Sequence, residues 1–311
     1  MKKFVAILLT LMLVLGMTAA YAVAPNLTDA TFKKVYTATG GTAPGATFTF
    51  TADYLSSDDG ATGAGPELTI SNLVVNGAGN YDAQITHTDK FPSVGKYYYT
   101  ISEVQGNVAG ITYDPSTLYL MVLVTNGDGD NAGKLVESYY LYTDSNKTTK
   151  EDTFTNTYEA GSLKVTKTVT GNLGDKTKDF TFHVEFTAPK DKDWDMNGID
   201  TSLTKGDDGK YTFTLRDGAT AEFKNLPYGV VYTVTEDAVE GYTTTIRVND
   251  VAMDNATGSI GVAETTVVFT NDKGGEIDTG VTTESLPYVV LMAFVVLAGA
   301  ALLIKRKAHN N

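Results

Sequence analysis

Residues 230–236 read Val230-Val231-Tyr232-Thr233-Val234-Thr235-Glu236. Apolar and polar side chains alternate, the period of a half-buried β-strand. Val230, Tyr232 and Val234 fall on one face, and Glu236 falls on that same face. A carboxylic acid therefore stands where a core should be. The pattern has a copy earlier in the chain, where Tyr97, Tyr99 and Ile101 alternate in the same way and end at Glu103.

Working outward, each glutamate is preceded by a lysine at the same distance. Lys34 lies in Phe32-Lys33-Lys34-Val35-Tyr36 and Lys167 in Val165-Thr166-Lys167-Thr168-Val169, 69 residues before Glu103 and Glu236 respectively. Strand phase selects Lys34 over Lys33, because Phe32 and Lys34 share a face. Each half then closes on a matching strand, Thr153-Phe154-Thr155-Asn156 and Val268-Phe269-Thr270-Asn271. The glutamate-to-asparagine spacing differs, 53 residues against 35. The extra length belongs to a hairpin near Gly127 and a loop from Thr143 to Asp152.

A chain with such internal repetition, many short alternating segments and frequent Gly, Asn and Asp turns is expected to be all-β. We expect two tandem Ig-like β-sandwich domains, residues 25–158 and 159–272. The junction at Glu159-Ala160-Gly161 is short, so the two should stack end to end with limited freedom.

Composition narrows the function. Acidic residues outnumber basic ones 37 to 24, for a net charge of −13. The basic residues are enriched at the two ends, so the middle is more acidic still. This argues against a nucleic-acid partner and against docking on anionic lipid. There are no cysteines, so any covalent reinforcement must use other side chains. The three histidines, His87, His183 and His309, are far apart, which disfavours a metal cluster or a histidine-based hydrolase. No cofactor is expected. Asn126-Gly127-Asp128-Gly129-Asp130 has partial Ca²⁺-loop spacing but lacks the glycine at the sixth position, and it reads as a polar hairpin turn.

Both ends carry export signals. Lys2 and Lys3 precede an apolar run and the Ala20-Tyr21-Ala22 site, which marks residues 1–22 as a signal peptide. Residues 288–304 are uncharged and apolar, near the lower limit of the about 17–25 residues that span a bilayer. Lys305-Arg306-Lys307 follows and would stay on the cytoplasmic side.

The Lys, Glu and Asn trios suggest a reaction. Burial of an isolated charge is costly, lowering a lysine pKa and raising a carboxyl pKa. A neutral amine is a nucleophile, and a protonated acid can hydrogen-bond to an amide oxygen and polarise its carbon. The asparagine carboxamide supplies that carbon. Attack by the amine and departure of ammonia would leave an isopeptide bond, with Glu103 and Glu236 as the catalytic acids. The folded core would supply proximity and exclude water.

The chain resembles the T-antigen-type major pilins of Gram-positive bacteria, built from pilin isopeptide linkage domains. The motifs are LKVTKTVTG at 163–171, KDFTF at 178–182, NLPYGVVYTVTED at 225–237 and VVFTN at 267–271. The resemblance implies crosslinks Lys34–Asn156 with Glu103 and Lys167–Asn271 with Glu236. Glu276-Ile277-Asp278-Thr279-Gly280, ahead of the apolar tail, resembles a sortase sorting signal, cleaved between Thr279 and Gly280. The related pilins use a lysine late in their first domain to join subunits, which implies Lys147 first and Lys150 second. The partners implied are other copies of the chain, a pilus sortase, tip and basal pilins, and cell-wall peptidoglycan. The expected protein is a surface-anchored shaft subunit; the alternative is a wall-anchored adhesin or minor pilin.

Overall fold

The computed structural model describes residues 30–275 and 290–292. The expected signal peptide 1–22 and the sorting motif with Thr279 and Gly280 lie outside the described residues. Of the expected span 288–304 only 290–292 are described, as helix. Among the described residues no helix is long and apolar enough to cross a membrane.

Apart from short 3₁₀ turns, residues 30–275 are built from β-strands. One run of hydrogen-bonded strands passes through both halves, in the order Val251–Met253, Thr243–Val248, Glu264–Asp272, Thr153–Thr170, Thr31–Thr39, Gly79–Thr86 and Thr69–Ile70. Two four-stranded sheets complete the layers. One holds Leu135–Tyr142, Thr117–Asn126, Gly95–Glu103 and Phe50–Asp58; the other holds Tyr211–Leu215, Phe180–Thr187, Val231–Glu236 and Ala256–Ser259. The residues form two separate cores. Phe32, Phe50, Tyr99, Ile101 and Phe154 belong to the first, and Val165, Phe182, Val234 and Phe269 to the second.

The strands follow the sequence pattern. Gly95–Glu103 alternates buried and half-buried residues along its whole length, ending with Glu103 buried. In each half the first and last strands pair in parallel. Lys34 stands opposite Phe154 and Tyr36 opposite Asn156; Lys167 stands opposite Phe269 and Val169 opposite Asn271. Each asparagine is thus two residues along from its lysine's partner, on the same face of the neighbouring strand. The extra length of the first half includes the strand Leu135–Tyr142, reached by a hairpin whose tip carries a 3₁₀ turn at Gly129–Asn131.

At the junction, Glu159, Ala160 and Gly161 lie in the middle of one 18-residue strand, Thr153–Thr170, that serves both halves. Along it the even-numbered residues are buried up to Ala160 and the odd-numbered ones from Gly161 onward. A register shift against Thr220–Pro227, between Gly161 and Leu163, marks the change of phase. A one-residue slip exchanges the inward and outward sets of side chains. That slip buries Asn156 in the first core and Lys167 in the second. A Cβ on Gly161 would lie 2.2 Å from the Val262 carbonyl oxygen, so the phase change needs glycine. Around the junction, Thr42 N–H donates to Asn225 Oδ1 at 3.0 Å and Tyr228 N–H to Glu159 O at 3.0 Å, tying the halves together.

Candidate functional site

Lys34, Glu103 and Asn156 meet inside the first core. Lys34 comes from the opening strand and Asn156 from the long strand beside it, while Glu103 reaches across from the end of Gly95–Glu103 in the other sheet. The Lys34 and Glu103 side chains are both fully buried, and Lys34 Nζ lies 2.6 Å from Glu103 Oε2. Asn156 Nδ2 donates to Glu103 Oε1 at 2.5 Å. The Asn156 Oδ1 accepts the backbone N–H of Asp114 at 2.8 Å. Phe48 covers the amine, its ring centroid 4.7 Å from Nζ.

Burial holds the Lys34 amine below the ordinary lysine range, and burial pushes the Glu103 carboxyl up; their mutual attraction opposes both shifts without cancelling them. This is the direction that favours a neutral amine beside a neutral acid.

The second trio repeats the plan with a looser geometry. Lys167 and Asn271 are buried, and Glu236 enters from the facing sheet with its side chain almost fully covered. Lys167 Nζ lies 2.9 Å from Glu236 Oε1, off the line of a hydrogen bond, and Asn271 Nδ2 donates to that same oxygen at 2.8 Å. Among the described residues Glu236 Oε2 and Asn271 Oδ1 have no hydrogen-bond partner. The Phe180 ring caps the amine at 4.3 Å, and burial lowers the Lys167 pKa.

All six expected residues are therefore brought together, three in each core. One expectation is corrected. The acid does not approach the carboxamide oxygen; in both trios it faces the nitrogen. The reason is donor and acceptor matching: the carboxamide nitrogen can only donate, and a carboxyl oxygen of the glutamate is the acceptor it meets. In the first trio the oxygen is also already occupied by Asp114 N–H.

Sequence reasoning missed two aspartates that grip the long strand beside the trio residues. Asp114 Oδ2 accepts Thr155 N–H at 2.6 Å, and Asp217 Oδ1 accepts Val169 N–H at 2.7 Å. The only signal for the first was the turn-like Tyr113-Asp114-Pro115-Ser116.

The loop with the two candidate linkage lysines is ordered by Asp144, whose carboxylate accepts the Thr148 and Thr149 N–H groups. Lys147 takes a left-handed φ of 60°, donates to Ser145 O at 3.0 Å, and sits 4.2 Å above the Tyr98 ring. Lys150 is more exposed and lies 5.8 Å from the Tyr140 ring.

Comparison with known proteins agrees with this geometry. Residues 30–159 match the family model FctA, described as a Spy0128-like isopeptide containing domain, and residues 161–273 match DUF7601, a domain of unknown function. A pilin from Streptococcus pyogenes serotype M1 is 31% identical over 264 residues, covering 78% of this chain and 76% of the relative. The chain belongs to the Spy0128-like major pilins. Like other members of this family it is a subunit of the pilus shaft, and isopeptide bonds characterise the family. The crystal structure of a Streptococcus pyogenes major pilin superposes with a TM-score of 0.57 at 25% identity, covering 79% of this chain and 99% of that one. The T3.2 major pilin from the same species gives a TM-score of 0.50 at 27% identity, covering 79% and 98%. The pilus tip adhesin Cpa is 32% identical over 126 residues, which is 39% of this pilin but only 18% of the adhesin.

Proposed function

We propose that this pilin crosslinks itself twice, Lys34 to Asn156 and Lys167 to Asn271, and is then joined head to tail with other copies. The observation that carries the reading is the burial of a lysine, a glutamate and an asparagine in mutual contact, once in each core. Unreacted, such trios are a poor stabilising device, because desolvating an ion pair offsets much of its attraction. As reactants they are well placed.

The first trio's contacts support a definite proton route. Neutral Lys34 Nζ attacks Asn156 Cγ, and the carbonyl electrons move onto Oδ1. Glu103 accepts a proton from Nζ at Oε2 and delivers one from Oε1 to Nδ2. The Cγ–Nδ2 bond breaks, ammonia leaves, and the acid is regenerated. Glu236 would serve Lys167 and Asn271 in the same way through its contacts with both nitrogens.

The functional units we assign are 25–158 and 159–272. After export directed by residues 1–22, the precursor is held by the apolar span 288–304. A pilus sortase cuts between Thr279 and Gly280 and transfers the threonine carbonyl to a lysine of the next subunit. Lys147 is favoured for this role by its ordered loop and its aromatic support; Lys150 is the second choice. Tip and basal pilins and the peptidoglycan complete the assembly.

A mechanical role follows from the connectivity. Between Lys147 and the C-terminal end, the shortest covalent route runs along the long strand to Lys167, across to Asn271 and out. The body of the second half is bypassed, and the first crosslink lies off the route. The second bond carries the load, while the first closes the half that hangs beside it.

The mass of the full chain is the test. Each crosslink removes one ammonia; Glu103→Ala and Glu236→Ala should each restore one. A wild-type mass equal to that of the plain chain sinks the crosslinking reading. Replacing both Lys147 and Lys150 should abolish the detergent-resistant polymer ladder, and an unaltered ladder would put the linkage lysine elsewhere.

A further inference from the structure

When Lys34 attacks Asn156, negative charge develops on Oδ1. That atom must be stabilised by something other than Glu103, since both Glu103 oxygens are engaged with nitrogens. The Asp114 N–H points at it from 2.8 Å. Preorganised backbone donors of this kind are the usual means of stabilising an oxyanion, and they act most strongly where water is excluded. Asn156 is fully buried.

The donor is held in place by its own side chain and by a neighbour. Asp114 Oδ1 accepts Ser116 N–H at 2.9 Å, and Oδ2 accepts Thr155 N–H at 2.6 Å, one residue from the reacting asparagine. Gln105 Nε2 donates to Asp114 O at 2.9 Å, tying the same loop to the segment that follows Glu103. The loop is thus fastened next to the electrophile and next to the proton carrier. Burial works against the Asp114 charge, but the hydrogen bonds from Ser116 and Thr155 prevail and lower its pKa, so the clamp is a carboxylate at neutral pH.

We propose that the Asp114 backbone N–H is the oxyanion donor for the Lys34–Asn156 reaction, and that the Asp114 carboxylate is its positioning group. The bond formed is Nζ–Cγ and the bond broken is Cγ–Nδ2, with ammonia as leaving group. The electron pair resides on Oδ1 between the two steps, and the N–H of Asp114 meets it there. The same contact orients the carboxamide. A reversed Asn156 would set its NH₂ against the Asp114 N–H, donor against donor. The second trio has no such donor on Asn271 Oδ1 among the described residues.

This inference rests on the self-crosslinking proposed above, and the test separates the two. Full-length chain is translated freshly, quenched in denaturant at intervals and digested, and the two crosslinked peptides are quantified by mass. Asp114→Pro removes the N–H; Asp114→Ala keeps it and removes only the clamp. Loss of one oxyanion donor slows comparable reactions by roughly 10²–10³-fold. Asp114→Pro should slow the Lys34–Asn156 bond on that scale and leave Lys167–Asn271 at the wild-type rate. Asp114→Ala should fall between Asp114→Pro and wild type. Wild type without either crosslink sinks both proposals. Wild type with both crosslinks and Asp114→Pro at an unchanged rate sinks only this one.

If Asp114→Pro does not fold, so that neither bond forms, amide exchange decides. In the unreacted Glu103→Ala chain the Asp114 amide should be protected, and a further Asn156→Ala change should release it. Free exchange at Asp114 in Glu103→Ala would overturn the assignment.

Discussion

The trio around Lys34 is hydrogen-bonded at every polar atom, whereas among the described residues the trio around Lys167 leaves the amine, the carboxamide oxygen and one carboxylate oxygen without a hydrogen bond. Both are built from the same residue types at the same lysine-to-glutamate spacing. The difference lies in a loop, since only the first half brings a backbone N–H to the asparagine. A shared motif therefore brings the reactants together, and irregular backbone around it sets how far each site is prepared for reaction. In the polymer proposed above the halves would also differ in mechanical place, with the second bond on the load route and the first beside it.

The largest expected effect tests that mechanical difference. With force applied between Lys147 and the C-terminal end, Asn271→Ala should release on the order of 350 Å of slack, roughly 100 residues at about 3.5 Å each. Asn156→Ala should release none by that route. Equal extension in single-molecule pulling would erase the distinction between the bonds.

Next comes thermodynamic stability. Each proposed bond would close a loop of more than a hundred residues. By analogy with disulfides, losing one costs about 4–5 kcal/mol in the half that held it. Denaturant unfolding of Lys34→Ala and Lys167→Ala should show a weakened half in each case. A loss in the wrong half, or none, would count against the pairing of residues.

Glu103→Gln sharpens the chemical comparison. An amide cannot accept a proton from Lys34 and pass one to the departing Asn156 Nδ2, so crosslinking in the first half should stop as is expected for Glu103→Ala. Substantial bond formation in Glu103→Gln, seen by mass, would show that hydrogen bonding alone suffices.

A smaller effect is expected at the phase change. Gly161→Ala places a methyl group against the Val262 carbonyl and should cost about 1–3 kcal/mol, as overpacking does. Thermal melting that matches wild type would mean the bulge tolerates a side chain.

Finally, pH separates the shared proton from a simple lysine deprotonation. The reactive form, neutral Lys34 with neutral Glu103, has the same net charge as the ion pair. Burial moves both pKa values toward that neutral pair. The folded chain should crosslink at a nearly constant rate through the neutral range. The rate should fall in acid, where the pair gains a second proton, and fall in alkali, where it loses its only one. A rate that climbs steadily with pH would mean that Glu103 needs no proton.

Much of this was legible from residue order. The alternation of Tyr97, Tyr99, Ile101 and Glu103, and its echo at Val230 to Glu236, put acids on core faces, and both glutamate side chains prove to be covered. Strand phase put Lys34, not Lys33, on the core face, and Lys34 is fully buried while Lys33 is exposed. What stayed hidden was set by loops and registers. Asp114 lies 42 residues from Asn156, in a turn whose composition says nothing about its destination. That one strand runs on through Glu159, Ala160 and Gly161 also stayed hidden, because the inward parity changes from Ala160 to Gly161 and a broken period does not read as a single strand.

The order of residues by itself determined that the chain is a β protein without disulfides, with a lysine, an acid and an asparagine turned inward in each half. Period-two alternation has that power because it assigns every side chain to a face. Only the tertiary structure decided which atoms of those groups touch, that Asn156 and Lys167 share one strand, and that of the two trio carboxamides only Asn156 has its oxygen on a backbone donor among the described residues. Faces are a local property of the backbone, whereas atom-to-atom contacts depend on loops brought from tens to a hundred residues away, such as the Val262 carbonyl that packs on Gly161.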